Sequence, residues 1–514
     1  MQKLPIGIQD FIRLREDNYL YVDKTEQIHR LMNAGAFLFL ARPRRFGKSL
    51  LVTTLKEIFT GNQALFRGLW IEDKIDWQPH PVILINFNAL NYRQQSLGEA
   101  LAQYMDELAH AHGFALASGD YKGKFRELIT RLAQHGRVVL LVDEYDKPIT
   151  DLLEDEQKVQ EHVATLKDFY AVLKAPEAVH LHFTLLTGVS KYGKISIFSD
   201  LNNLLDLTTD RRFATLLGYT QQELERDFAE QIDRLCTTHN LGRVEMLQQI
   251  EFWYNGYSWD GVNRVYVPFS TLVFFEQQTF ENHWFSTATP TFLIKLLRRS
   301  HIPAYDLEKV SADGKLLDSA DVNNINVFAL LFQTGYLTIK EVQTSAGRQR
   351  YTLGYPNYEV AHSFQQHLLA DYLDTQAGRM AETIIFRLED ALRAQDFESF
   401  VVTLQSVFAA IPHTLFLPFE AYYHSIVYLI LKLLGFTIQP ERLTSLGRID
   451  AILEVADVVY ILEFKMTTAT AAIQQIRERG YAQAFRGQGK TIILFGIAFD
   501  RTSRTISAWE VERE

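Results

Sequence analysis

Cysteine is nearly absent. Cys236 is the single one in 514 residues, so no intramolecular disulfide can form and no structural zinc site can rest on thiolates. A cytoplasmic protein is the expectation. The opening residues, MQKLPIGIQDFIRLRED, interrupt their apolar positions with charges and lack the unbroken core of a secretory signal. Long apolar runs are missing as well: the longest, Ile426 to Phe436, is broken by Lys432 and falls short of the ~20 residues a membrane span needs. It reads as a buried helix, and no membrane partner is expected. An excess of positive charge is also lacking, with 52 Lys and Arg against 62 Asp and Glu and a net charge of −10. That balance argues against a protein that coats nucleic acid non-specifically, because counterion release rewards basic surfaces, but it leaves a nuclease open. Basic residues cluster locally at Arg42, Arg44 and Arg45, at Lys295 to Arg299 and at Arg477 to Lys490, as solvated faces or as phosphate contacts. Low-complexity segments and internal repeats are absent, and apolar residues make up 47%, so the chain is expected to fold throughout.

A chain of this length is too long for one core, and several domains are expected. In the first part, four near-continuous apolar runs stand between helical patterns: Ala36 to Ala41, Val82 to Phe87, Val138 to Val142 and Leu181 to Thr187. Such runs read as strands buried on both faces of a parallel sheet with crossover helices. We expect an α/β domain over residues 1–218 and a mainly helical middle region over 219–393, with a β element near Gly335 to Leu353. A small C-terminal α/β domain over 394–514 completes the chain. In that last domain the pattern predicts a helix from Pro418 to Leu434 and β runs Arg448 to Val455 and Val458 to Phe464. A helix from Ala469 to Phe485 and a strand from Thr491 to Ile497 follow.

The string Arg42 to Ser49, RPRRFGKS, follows the first apolar run directly and opens a helical pattern. A phosphate-binding loop needs that setting, because its backbone N–H groups and the helix N-terminus cradle phosphates. Lys48 would reach the β- and γ-phosphates of ATP and the Ser49 hydroxyl would hold Mg²⁺. Arg42 stands where the usual pattern has glycine. In VVLLVDEYD a strand ends in Asp143 and Glu144, where Asp143 can join the Mg²⁺ shell and Glu144 can polarise the attacking water. In LLTGVSK another strand ends in Thr187, Gly188 and Ser190, polar groups suited to sensing the γ-phosphate. The expected nucleotide site is therefore Arg44, Arg45, Gly47, Lys48, Ser49, Asp143 and Ser190, with Glu144 catalytic. Arg211 and Arg212 are positional candidates for an arginine completing it.

The phrases YVDKT (Tyr21 to Thr25), RPRRFGKS, LVDEYDKP, TGVSK, WYNGY (Trp253 to Tyr257), TGYLTI (Thr334 to Ile339) and YPNYEV (Tyr355 to Val360) resemble the bacterial AAA-ATPase-like family. Its members typically carry a PD-(D/E)XK nuclease domain after the ATPase part. The resemblance covers nearly the whole chain. It implies a P-loop NTPase-type parallel sheet and a predicted nuclease, and it makes Arg42 a family trait, since the family's loop also begins Arg-Pro-Arg.

Near the C-terminus GRIDAILEVADVVYILEFK holds two strands around Ala456 and Asp457. Antiparallel pairing centred there puts Asp450 directly across from Glu463, with Cβ atoms ~5 Å apart on one face, and Lys465 on the same face as Glu463. Two opposed carboxylates repel unless a cation sits between them. Hard oxygen ligands suit Mg²⁺ or Mn²⁺, which would bind a phosphodiester oxygen and activate water while Lys465 stabilises developing charge. The arrangement resembles the D…ExK core of the PD-(D/E)XK nucleases, a restriction-endonuclease-like fold. Glu420, in the first turn of the preceding helix, resembles an additional acidic ligand, though it also complements the helix dipole. Tyr481 and Gln483 could contact substrate or simply form a polar helix face. The leading expectation is an ATPase coupled to a Mg²⁺-dependent nuclease acting on nucleic acid, with DNA favoured and a homo-oligomer compatible. The alternative is a nucleotide-dependent switch or DNA-binding protein whose nuclease-like domain does not cut.

Overall fold

The computed structural model describes residues 2–191, 197–198, 203–284, 291–317, 325–345, 347–373, 378–409, 420–438, 449–455, 457–500 and 505–514. Within these, the side chains of 378–381, 420–424, 437–438, 449–450, 481 and 484 stand outside the description. Two compact units divide the chain: Met1–Thr287 with Val310–Val360, and Ala288–Lys309 with Ala361–Glu514. Residues of the middle region contribute to both.

The first unit is built on a five-stranded sheet of β1 (Phe37–Ala41), β2 (Val82–Asn86), β3 (Val138–Asp143), β4 (Leu181–Gly188) and β5 (Leu205–Asp206), in the order β2-β3-β4-β1-β5. All its pairings are parallel. The four expected strands appear with their bounds nearly unchanged, because each apolar run is covered on both faces: β3 is buried at every residue. Helices Leu97–Ala111, Tyr121–Leu132 and Glu156–Tyr170 contribute Leu101, Phe125, Leu128, Leu166 and Phe169 to the core against β3 and β1. The first of them starts with a capping box in which Ser96 and Glu99 satisfy each other's backbone N–H. The two-residue β5 carries too short a pattern to be read from sequence.

Helices Gln221–Asp227, Ala229–His239, Arg243–Tyr254 and Pro268–Gln277 form a second core in the same unit, and Leu20 and Val22 from the N-terminal segment are packed into it. An antiparallel sheet of β6 (Val310–Asp313), β7 (Thr338–Ser345) and β8 (Arg348–Gly354), ordered β6-β8-β7, completes the unit.

The second unit carries a mixed sheet of β9 (Thr437–Ile438), β10 (Ile449–Val455), β11 (Val458–Lys465), β12 (Thr491–Asp500) and β13 (Thr505–Arg513), ordered β13-β12-β11-β10-β9. β11 and β12 are parallel and the other pairs antiparallel. Helix Ala469–Arg479 is the crossover between the parallel pair, as such a connection requires. It ends at Gly480, so the helix expected to reach Phe485 gives way to a short 3₁₀ turn at Tyr481–Ala484. β13 is an edge strand with a largely exposed face, and its mixed charged and apolar residues hid it. Among the described residues no helix is long and apolar enough to cross a membrane.

Candidate functional site

β1 ends at Ala41, and the loop that follows enters helix Lys48–Phe59 through Gly47, whose φ of +89° only glycine adopts without strain. Lys48 is buried and folds back so that Nζ donates to the carbonyls of Arg42 and Pro43, both at 2.9 Å. Burial pushes its ammonium down, while Asp143, Glu144 and Asp146 pull it back up. Beside it, the Ser49 hydroxyl donates to Asp143 Oδ2 at 2.6 Å. Parallel pairing with a register common to β1, β3 and β4 delivers Ser49, Asp143 and Thr187 to one end of the sheet, where the Thr187 hydroxyl donates to Asp143 Oδ1 at 2.7 Å.

Glu144, next along, is half-buried with φ of +56°, a conformation that costs a non-glycine residue about 1 kcal/mol. Asp146 is a residue the sequence reading missed. It is fully buried and accepts from the Ser190 N–H at 2.7 Å, the Ser190 hydroxyl at 2.8 Å and the Val189 N–H at 3.1 Å. Burial raises its pKa, and those bonds act against the rise. Ser190 is thereby tied to the acidic cluster at the strand ends. Asp146 could have been noticed as the third acid of DEYD.

The loop's arginines part company. Arg42 is 1% exposed. Nη1 donates to the Ala41 and Thr208 carbonyls at 2.9 and 2.7 Å and Nη2 to the Phe213 carbonyl at 3.2 Å, with the guanidinium 4.0 Å over the Trp259 ring. Arg44 is exposed. Arg45, at φ of +71°, donates to the His283 carbonyl at 2.7 Å and lies 4.0 Å over the Phe269 ring. The N–H groups of His283 and Trp284 in turn donate to Glu359 Oε1 at 2.7 and 2.8 Å. Glu359 is 0% exposed, and burial pushes its carboxyl up to about 7.

Aromatic residues wall the loop. Phe46 is buried edge-on against Tyr257 and Trp259, at 4.9 and 5.2 Å between ring centres. The Tyr257 hydroxyl donates to the Gly335 carbonyl at 2.9 Å. Gly335, at φ of +92°, admits Pro43 so closely that a Cβ there would stand 2.7 Å from the proline's. WYNGY and TGYLTI thus frame the loop. Beside the start of that helix a cavity is lined by Tyr21, Val22, Lys24, Gly47, Leu51 and Tyr219 among others. Burial lowers the Lys24 pKa, and Glu223, 2.6 Å from its Nζ, opposes that shift.

In the second unit β10 and β11 pair with Asp450 opposite Glu463 and Val455 opposite Val458, the register expected from the turn at residues 456 and 457. Glu463 is 0% exposed. Its neighbour on β12 is Gly496, where a Cβ would stand 2.5 Å from the Ala469 carbonyl, so the crossover helix presses on the sheet at this level. Lys465 Nζ lies 3.9 Å from Glu463 Oε1 and donates to the amide oxygen of Gln475 on that helix. Gln475 was missed; nothing in its sequence neighbourhood separates it from Gln474, which faces outward to Glu478. The side chains of Asp450 and Glu420 lie outside the described residues, as does that of Tyr481. Glu420 is the first residue of helix Glu420–Leu433. Among the described residues no three His, Cys, Asp or Glu side chains cluster as a metal site. In the basic cluster near the C-terminus, Arg477 pairs with Glu512, Arg486 with Glu514 and Lys490 with Glu454.

A parallel sheet whose first strand runs through a Gly-Lys-Ser loop into a helix defines the first unit as a P-loop NTPase-type α/β fold, and the mixed sheet with its acidic hairpin defines the second as restriction-endonuclease-like. Comparison with known proteins agrees. Residues 5–198 match the family described as predicted AAA-ATPase, and residues 418–509 match the PD-(D/E)XK nuclease superfamily. A protein of Azotobacter chroococcum mcd 1, described as an uncharacterized protein in the vnfD 5′ region, is 42% identical over 526 residues, covering 99% of both chains. The chain belongs to the AAA-ATPase-like family that carries a C-terminal PD-(D/E)XK nuclease domain.

Proposed function

We propose that this chain is an ATP-dependent nuclease in which nucleotide held by the first unit controls Mg²⁺-dependent phosphodiester cleavage by the second, on DNA. The observation that carries the ATP half is the Ser49 to Asp143 hydrogen bond beside the folded-back Lys48. A hydroxyl and a carboxylate converging within 2.6 Å are the hard oxygen donors Mg²⁺ takes. Lys48 exchanges its two carbonyl partners for β- and γ-phosphate oxygens, and the backbone N–H groups of the loop and helix start complete the cradle. With the Arg45 guanidinium turned to His283, residue 45 serves phosphate through its backbone, and exposed Arg44 is the side chain free to swing toward it. The base and ribose take the apolar cavity flanking Gly47 and Leu51. Glu144 orients the attacking water, and Asp146 with Ser190 holds the strand ends that position it.

For the nuclease half, Asp450, Glu463 and, as a further ligand, Glu420 would hold Mg²⁺ or Mn²⁺, which would supply Lewis acidity and a water of lowered pKa. Lys465 places an ammonium against the phosphodiester oxygens. Purified chain incubated with Mg²⁺ or Mn²⁺, with single- and double-stranded DNA and RNA, with and without ATP, tests this. Cleavage that needs the metal and responds to ATP is expected. Nucleotide binding without cleavage of any substrate would leave the chain a nucleotide-dependent switch.

A further inference from the structure

Glu359 is a buried carboxyl that neither candidate site uses. The hydrogen bonds it accepts from the N–H groups of His283 and Trp284 both fall on Oε1, whereas Oε2 is buried and meets no hydrogen-bond partner among the described residues. A carboxyl held by one oxygen, with the other kept from water, sits near the balance between its two forms, because the N–H donors favour the charge and burial opposes it. Of the groups packed around it, burial keeps Tyr254, Tyr257 and His283 neutral. The Ser270 hydroxyl stands near, and Arg45 is the cation whose charge pulls the carboxyl back toward ionisation.

Arg45 also ties that carboxyl to the loop. Its guanidinium donates to the carbonyl of His283, the residue whose N–H meets Glu359, so one short stretch of backbone lies between cation and carboxylate. Phosphate at the backbone of residue 45 would bring negative charge to the guanidinium, offset its pull on Glu359 and shift the carboxyl toward its neutral form. A neutral acid accepts hydrogen bonds less strongly than a carboxylate, so the hold on the His283 and Trp284 N–H groups would loosen. The chain passes from the first unit to the second after Thr287 and again after Val360, three residues beyond Trp284 and one beyond Glu359.

We propose that Glu359 is a proton-operated latch on the nucleotide site: when phosphate occupies the Gly-Lys-Ser loop, Oε2 takes a proton from solvent and Oε1 relaxes its grip on the His283 and Trp284 backbone that leads into the second unit. The latch rests on the nucleotide reading of the loop and supplies the means by which occupancy is passed on. Burial already raises the carboxyl from 4.5 to about 7, and phosphate raises it further. From about pH 7 upward, nucleotide binding therefore takes up a fraction of a proton and tightens as pH falls; below that range the carboxyl is protonated beforehand and the dependence fades.

The test uses the full chain with Mg²⁺ and the non-hydrolysable analogue AMP-PNP. Calorimetry at about pH 7.5, in buffers of different ionisation enthalpy, counts the protons taken up per nucleotide bound. Amide hydrogen exchange of the peptides covering His283 and Trp284 reads the grip of Oε1. Wild type is compared with Glu359→Gln, which keeps an acceptor and cannot titrate, and with Arg45→Met, which removes the cation; thermal melting establishes that each variant is folded. In wild type, nucleotide is expected to speed exchange at those peptides about tenfold, the weakening of one hydrogen bond to a charged acceptor, and to take up more protons than in either variant. In Glu359→Gln, exchange there should be insensitive to nucleotide. Equal proton uptake in wild type and Glu359→Gln overturns the proposal, and so does exchange at His283 and Trp284 that nucleotide leaves unchanged in wild type. Should Glu359→Gln fail to fold, Arg45→Met decides by the same proton count. A folded wild-type chain that does not bind AMP-PNP removes the nucleotide reading and the latch with it.

Discussion

Replacing Arg42 by glycine would restore the residue that nucleotide loops usually carry at that position, yet the structure predicts harm. Three hydrogen bonds from a charged donor, to the carbonyls of Ala41, Thr208 and Phe213, contribute roughly 1.5–3 kcal/mol each. Stacking on a buried indole adds about 2 kcal/mol. Against this stands the cost of burying the guanidinium, which lowers its pKa from 12.5 to about 9, or about 5 kcal/mol. The Phe213 carbonyl keeps a second donor in the Leu216 N–H, so the upper end of the range does not apply. The net loss is about 2–5 kcal/mol, to which glycine's added backbone freedom contributes up to ~1 kcal/mol. At about 2–4 °C per kcal/mol for a domain of this size, Arg42→Gly should melt the first unit roughly 5–15 °C earlier. Arg42→Lys should fall between, since an ammonium cannot span the same carbonyls and stack as well. Differential scanning calorimetry together with ATP titration measures both consequences. An Arg42→Gly chain that melts with wild type and binds ATP as tightly would refute the bracing role, and make the arginine a neutral departure from the loop pattern.

Lys48→Ala should abolish ATP binding by calorimetry, whereas Glu144→Gln should bind and not turn over; equal affinity in wild type and Lys48→Ala would remove the loop assignment. Asp450→Asn and Lys465→Ala should each abolish metal-dependent cleavage with ATP binding intact, and the first should melt no earlier than wild type without metal, because a like-charge opposition is relieved. A cleaving Asp450→Asn chain would end the catalytic reading. For Glu359, a carboxyl raised from 4.5 to about 7 means the native state holds a proton that the unfolded chain has released between those values. Its stabilising contribution is complete below about pH 4.5 and is lost as pH rises to 7, by about 3 kcal/mol. Glu359→Gln should flatten that part of the pH dependence in urea melts, and an unchanged slope would count against a buried, proton-binding Glu359. A fragment ending at residue 198 should be poorly folded and bind ATP weakly, since it lacks Thr208, Phe213, Tyr257 and Trp259; a fragment that matches the full chain in both would contradict the bracing of the loop.

What the sequence made legible is what local pattern encodes. Strands buried on both faces announce themselves as unbroken apolar runs, so β1 to β4 were read almost to the residue, and with them the ends where Ser49 and Asp143 meet. The hairpin register followed from the turn alone, because one residue of slip would move every side chain of β10 to the other face. What stayed hidden depends on distant partners. Nothing near Arg45 in the sequence announces that its guanidinium meets the His283 carbonyl and the Phe269 ring. Nor does anything near Ser190 announce that its hydroxyl donates to Asp146. Gln475 and Gln474 are indistinguishable until the helix is docked and only one of them faces Lys465. β13 was overlooked because an edge strand has no obligation to be apolar.

The span over which the ATPase family is matched, residues 5–198, and the set of residues that hold the Gly-Lys-Ser loop in place are different things. One wall of the loop is Tyr257, Trp259 and Gly335. On the opposite side, at the end of β4, the Lys191 N–H donates to Gln333 Oε1 at 2.8 Å, and Gln333 Nε2 reaches the Leu317 carbonyl. Both sides are therefore fastened to residues beyond 250, and Arg45 is joined through His283 to Glu359, at the start of helix Tyr358–Tyr372. The loop needs no glycine at position 42, because its positive-φ positions are Arg45 and Gly47 and not Arg42, and Arg42 and Pro43 are free to pack against Trp259 and Gly335. The same fastening means that any shift of Arg45 or Pro43 when phosphate enters is felt first at residues 283, 284 and 335. Those residues lie in the middle of the sequence, so the segment between the two matched domains is structurally part of the setting of the Gly-Lys-Ser loop.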